Sequence, residues 1–199
     1  GAVIYSGFRK KITKEEYLER LAAKTLGEVI NATPVRAGDA FFIPAGMVHA
    51  IGEGVLLAEL QQTSDVTYRI FDWDRTDASG QPREMHTSLA LDAINFNLDS
   101  SNLIRKEPEL NKTVLLAQSQ YFNTSVIRFD SPIIKDYSLT DSFIIYICTE
   151  SMAVIECFGH REELRAGETL LIPASAESVI IIPQGTATLL EVFVPKRQK

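Results

Sequence analysis

The chain is 199 residues and 22.1 kDa, a length that holds one large domain or two compact ones. Hydrophobic residues make up 45% and charged residues 23%, ordinary values for a globular protein, which exclude wholesale disorder. Its 20 Lys and Arg stand against 26 Asp and Glu, and the net charge of −6 argues against a nucleic-acid binder that works by neutralising phosphates.

In chain order, Val3-Ile-Tyr5 reads as the tail of a strand. Thr13 followed by Glu16 is a capping box that opens a helix, and Tyr17, Leu18, Leu21, Ala22 and Thr25 keep one face largely apolar to a stop at Gly27. Helical periodicity then gives way to short β-rich runs at 40–44, 55–62 and 66–71, separated by Gly and Pro turn signals. Residues 74–85 read as a polar connection, and Leu89, Ala93 and Phe96 predict a short helix over 87–96. After a polar stretch at 97–112, strands are predicted at about 113–129, 142–147, 152–158, 169–173, 177–182 and 186–194. This is an all-β pattern of sandwich or barrel type with two short helices.

No apolar run approaches the ~18–20 residues of a membrane span, and the N-terminus lacks the basic-then-apolar pattern of a signal peptide. Two cysteines, Cys148 and Cys157, are too few for a disulfide scaffold, and a hairpin turn at 149–151 would keep them apart. The expectation is a cytoplasmic protein with no nucleic-acid and no membrane partner.

The two β regions contain an internal repeat. Arg36-Ala-Gly-Asp-Ala-Phe-Phe-Ile-Pro-Ala45 matches Arg165-Ala-Gly-Glu-Thr-Leu-Leu-Ile-Pro-Ala174. Each copy continues into an apolar run ending in a glutamate, Val55–Glu59 in the first and Ala187–Glu191 in the second. Counted from the shared proline, Ser178 occupies in the second copy the position of His49 in the first.

Gly38-x5-Pro44-x-Gly46-x2-His49 resembles the second motif of the cupins, a double-stranded β-helix (jelly-roll) family in which that histidine binds a divalent metal. Glu53 stands where the motif closes with Asn. The segment Glu59-Leu-Gln-Gln-Thr-Ser-Asp-Val-Thr-Tyr-Arg-Ile-Phe-Asp-Trp-Asp-Arg75 resembles the signature of type I mannose-6-phosphate isomerases. The likeness extends through Val3–Phe8 and the first helix to Arg83-Glu-Met-His86 and the second β region. The resemblance implies a cupin-type jelly-roll fold. Residues 1–75 would hold a helix and half of a metal-binding barrel, 76–111 a connection with a short helix, and 112–199 a degenerate second jelly-roll.

It also implies a zinc-dependent aldose–ketose isomerase that interconverts mannose 6-phosphate and fructose 6-phosphate through a cis-enediol. His49 would be a zinc ligand and Arg69 the catalytic residue, its fixed planar charge suited to an enediolate or phosphate oxygen. Glu59 and Gln61 share a strand face and read as substrate-binding residues, Glu59 paired with Arg69 before the sugar phosphate binds. Asp65, Asp72 and Asp74 read as turn caps, His86 has no clear role, and His160 reads as solvent-facing. The family's other metal ligands lie upstream, in a His-Pro segment and a glutamate near an aromatic strand. With His49, His86 and His160 its only histidines, the chain reads as the C-terminal portion of a longer isomerase. Two other readings stand beside the enzyme, a non-catalytic cupin module that binds sugar phosphate and an inactive truncated fragment. Half a jelly-roll leaves an unpaired apolar edge, which predicts a homodimer through the N-terminal β segment.

Overall fold

The computed structural model describes residues 1–64, 66–71, 76–97 and 102–196. The chain forms two compact units, Gly1–Ile104 and Arg105–Lys199.

The first unit opens with β1 (Val3–Phe8) and α1 (Lys14–Ala22). Thr13 caps α1 as the sequence predicts, its Oγ1 accepting from Glu16 N–H at 3.1 Å. The helix stops before Gly27. Lys24 takes the left-handed conformation at φ 58°, and the N–H groups of Lys24 and Thr25 donate to the carbonyls of Leu21 and Arg20. That pair of bonds is a Schellman closure, which satisfies the last carbonyls without a glycine. A 3-10 turn at Leu26–Glu28 leads to β2 (Ile30–Pro34), β3 (Ala40–Phe41) and β4 (His49–Ile51). Further on lie α2 (Thr87–Ala93) and β5 (Leu103–Ile104). The strands form a sheet in the order β2-β1-β4 and a separate β3-β5 pair. Phe8, Ile12, Tyr17, Leu26, Val29, Ile30 and Val48 make the core. Phe96 stacks on Phe8 with ring centroids 6.2 Å apart and meets Tyr17 edge-on at 5.7 Å.

Two expectations for this unit are corrected. The strand expected at 40–44 spans Ala40–Phe41 alone, and neither 55–62 nor 66–71 forms a strand among the described residues. Alternating apolar residues make a strand only where a neighbouring ladder and a covering layer exist. Here Leu56 is fully exposed and Val66 is 62% exposed. The expected connection at 76–111 also divides differently. Residues up to Ile104 belong to the first unit, where Leu91, Ile94 and Phe96 pack against its core.

The second unit is a two-layer jelly-roll. Its strands are β6 (Lys112–Gln118), β7 (Asn123–Phe129), β8 (Ile133–Asp136), β9 (Ile144–Glu150) and β10 (Met152–Cys157). After them come β11 (His160–Arg165), β12 (Thr169–Ile172), β13 (Ser178–Pro183) and β14 (Ala187–Phe193). One antiparallel sheet runs β12-β9-β14-β7-β6 and the other β11-β10-β13-β8. Alternation decides which side chains enter. Ile144, Tyr146 and Cys148 of β9 point into a core shared with Ile155, Val179 and Ile181 of the other sheet. The expected strand 113–129 is a hairpin, broken where Ser119 Oγ accepts from the N–H groups of Tyr121 and Phe122. Cys148 and Cys157 are both free thiols, and burial pushes each upward from its ordinary pKa. The protein is therefore a mostly β chain of cupin type, whose second unit is a two-layer jelly-roll.

The repeat survives as geometry. Asp39 accepts from Arg36 N–H at 3.1 Å around Gly38, and Glu168 accepts from Arg165 N–H at 2.7 Å around Gly167. Both glycines have φ +90°, a conformation that needs glycine. The following turns also correspond, Met47 N–H donating to Pro44 O at 3.1 Å and Ala176 N–H to Pro173 O at 3.0 Å. His49 and Ser178 then each open the next strand. The correspondence ends there, because Glu191 lies on β14 while Glu59 lies outside any strand.

Candidate functional site

His49 is placed by the turn before it. Gly46 has φ +83°, and a Cβ there would stand 2.8 Å from Ala93 O, so the turn needs glycine both for its conformation and for space. His49 then opens β4 opposite Ser6 of β1. Its ring is exposed, with Nδ1 3.0 Å from Met47 O. A carbonyl only accepts, so Nδ1 carries a proton, and in the neutral ring the lone pair then falls on Nε2. This is the tautomer that suits a metal ligand. Behind it, buried Ser6 donates to Met47 Sδ at 3.3 Å and so holds the residue that orients the imidazole.

Arg69 lies in the strandless segment 66–71, yet its main chain is held. Its N–H donates to His86 Nδ1 at 3.2 Å, and its carbonyl accepts from His86 N–H at 2.8 Å. The guanidinium donates from Nη1 to Glu84 O at 3.1 Å. The next two residues, Ile70 and Phe71, pack against the core of the unit. Among the described residues the Arg69 guanidinium has that one carbonyl partner, which leaves donors of the fork to meet an anion.

Glu59 and Gln61 are exposed, and neither makes a hydrogen bond or an ion pair among the described residues. The expected pairing of Glu59 with Arg69 is absent there. Asp65, Asp72 and Asp74 lie outside the described residues. His160 is exposed at the start of β11, as expected. His86 is the residue that sequence reasoning left without a role; the only signal was its place in the Arg83–His86 segment. Among the described residues no three His, Cys, Asp or Glu side chains gather to hold a metal. Two hollows among the described residues, of about 430 and 320 Å³, are lined by second-unit residues and by none of the site candidates.

The second unit has a polar cluster of its own. Glu191, 3% exposed, accepts from Tyr137 OH and pairs with Lys135 Nζ at 2.8 Å. Tyr146 OH bonds Tyr137 OH, and Lys135 also donates to Thr113 Oγ1 at 2.9 Å. Burial first, and then the neighbouring charges, hold both phenols above their ordinary pKa, so each stays a neutral hydroxyl.

No family model matches the chain. It is 42% identical over 94 residues to the mannose-6-phosphate isomerase of Streptococcus mutans, covering 47% of this chain and 29% of the relative. It is 32% identical over 161 residues to YvyI of Bacillus subtilis, covering 78% and 49%. The crystal structure of the mannose 6-phosphate isomerase from Bacillus subtilis superposes with a TM-score of 0.80 at 24% identity, covering 96% of this chain and 60% of that one. The chain thus spans about half or less of the length of these curated relatives. Within that span, the chain belongs to the type I mannose-6-phosphate isomerase family.

Proposed function

We propose that the chain serves aldose–ketose isomerisation of mannose 6-phosphate and fructose 6-phosphate, with Arg69 as the cation that meets the developing enediolate or the phosphate. The kinship with named isomerases carries this reading. The clasped main chain of Arg69 supports it, because a guanidinium whose backbone is fixed loses little freedom when an anion arrives. A proton moving between C2 and C1 needs a base and a stabilised oxyanion, and Arg69 fits the second role. Glu59 and Gln61 are proposed to reach the sugar, as exposed polar side chains without a partner among the described residues.

Zinc is proposed on the chemistry of one residue. His49 holds Nδ1 on the Met47 carbonyl, so Nε2 is the nitrogen that would meet a metal. No second and third ligand gather beside it among the described residues, so these residues do not form a zinc site by themselves, and no step is drawn through the metal. The same observation favours a second reading, a sugar-phosphate-binding module without turnover.

Equilibrium zinc analysis combined with a turnover assay on mannose 6-phosphate separates the readings. Stoichiometric zinc with turnover supports the isomerase. Binding of sugar phosphate without turnover supports the module, and neither binding nor turnover defeats both.

A further inference from the structure

We infer that His86 is the positioning residue of Arg69, acting through Nδ1 as an acceptor for the Arg69 amide. The inference rests on the reading of Arg69 as the anion-facing group.

A segment without a strand ladder has to satisfy its backbone groups elsewhere. At Arg69 one residue satisfies both of them, the N–H through the imidazole at 3.2 Å and the carbonyl through the His86 amide at 2.8 Å. Glu84, two residues earlier on the same strap, takes the guanidinium through its carbonyl at 3.1 Å. The strap is rooted in the fold, because His86 O accepts from the N–H of Ala90, a buried residue of α2, at 2.9 Å. Main chain and guanidinium of Arg69 are thus referred to one anchored three-residue segment.

A helix-capping role does not account for the His86 ring. His86 stands at the N-cap of α2, yet its side chain makes no capping hydrogen bond. It is turned toward 68–69, with its ring centroid 6.2 Å from that of Tyr68. Accepting at Nδ1 puts its proton on Nε2, the opposite tautomer to His49, whose Nδ1 donates. The two histidines divide the labour: His49 offers its lone pair outward, and His86 spends its own on the backbone of Arg69.

Three measurements on the 199-residue chain test this. A long-range proton–nitrogen spectrum of the unsubstituted protein should show the Nε2–H tautomer at His86, and the Nδ1–H tautomer overturns the proposal. Amide exchange at Arg69 should be preserved in His86→Asn, whose Oδ1 stands where Nδ1 stood. It should quicken about tenfold or more in His86→Gln and His86→Ala, which lack an acceptor at that place. Equal protection in Asn and Gln variants, or its loss in both with circular dichroism unchanged, overturns it. Titration with fructose 6-phosphate should show affinity about tenfold weaker in the Gln and Ala variants and within about twofold in Asn. If the unsubstituted chain binds no fructose 6-phosphate, the reading of Arg69 as the anion-facing group fails. The tautomer and exchange results still decide the role of His86.

Discussion

Lys135→Met in the second unit is the sharpest test of the packing energetics. The substitution keeps the approximate length and apolar stem of the side chain and removes its ammonium, with the bond to Thr113 Oγ1. Glu191 would then be left 3% exposed with the Tyr137 hydroxyl as its remaining protein donor. Removing one partner of a buried ion pair costs about 3–5 kcal/mol, because the other charge remains buried and uncompensated. Lys135 keeps 15% of its side chain exposed, so some water reaches the pair and the lower end, about 3 kcal/mol, applies. In a unit of roughly a hundred residues such a loss lowers Tm by about 12–24 °C. Glu191→Gln alone should cost less, since Lys135 retains Thr113 and a path to solvent. The double variant should recover much of the loss, because no unpaired charge remains. Calorimetry on the four proteins gives the coupling directly. A Lys135→Met protein within about 1 kcal/mol of the parent, or strictly additive losses, would refute the reasoning.

Three further outcomes follow from particular atoms. Tyr17 is fully buried and its hydroxyl has no partner among the described residues, so Tyr17→Phe should hold or raise stability at pH 7 by up to about 2 kcal/mol. Burial pushes the Tyr17 phenol up to about 12 from 10.0, so the stability it contributes is full below pH 10 and is lost as pH rises toward 12. Urea titrations across that window should show a smaller alkaline loss in the Phe variant. Gly46→Ala should cost about 3 kcal/mol, from left-handed strain plus the 2.8 Å approach to Ala93 O. Gly167→Ala, with the same strain and open space around it, should cost about 1 kcal/mol. Leu56, Val66 and Tyr68 expose apolar surface, so light scattering at micromolar concentration should show association above 22.1 kDa, weakened by Leu56→Glu. A clean monomer would show that this surface does not drive association.

The sequence is most legible where structure is local. A capping box is closed within four residues, so Thr13 and Glu16 mark the start of α1 unaided. The repeat is legible for the same reason, since each copy places glycine at φ +90° and a carboxylate to take the N–H three residues earlier. Strand pairing is not local, and there the reading fails in both directions. Residues 55–62 have strand composition and no ladder, whereas β11, His-Arg-Glu-Glu-Leu-Arg, has an edge-strand ladder and a composition that hides it. In β11 only Leu164 is buried, and its charged neighbours suit an exposed edge. Of the proposed site, His49 and Arg69 could be named from the motifs that resemble the family's. The tautomers and the His86 clasp could not, because they depend on which carbonyl or amide the fold brings to each ring.

The two copies of the repeat explain why the catalytic reading belongs to the first unit although the second is the better formed. Both copies make the same turns and deliver one residue to the opening of a strand, His49 in one and Ser178 in the other. A serine hydroxyl is a weak partner for a transition metal, so the second copy lacks the group that would hold one there. Its buried carboxylate, Glu191, is instead neutralised from within by the Lys135 ammonium, and its two phenols stay protonated. Every charged and hydroxyl group of that cluster is spent on another member of it or on Thr113. A closed network stabilises and offers nothing to a ligand. In the first unit the balance is reversed: among the described residues His49 bonds through Nδ1 alone, and Arg69 is fixed through its backbone with one carbonyl on its guanidinium. Groups anchored on one side and, among the described residues, unsatisfied on the other are what a binding site requires, and in this chain they belong to the first unit.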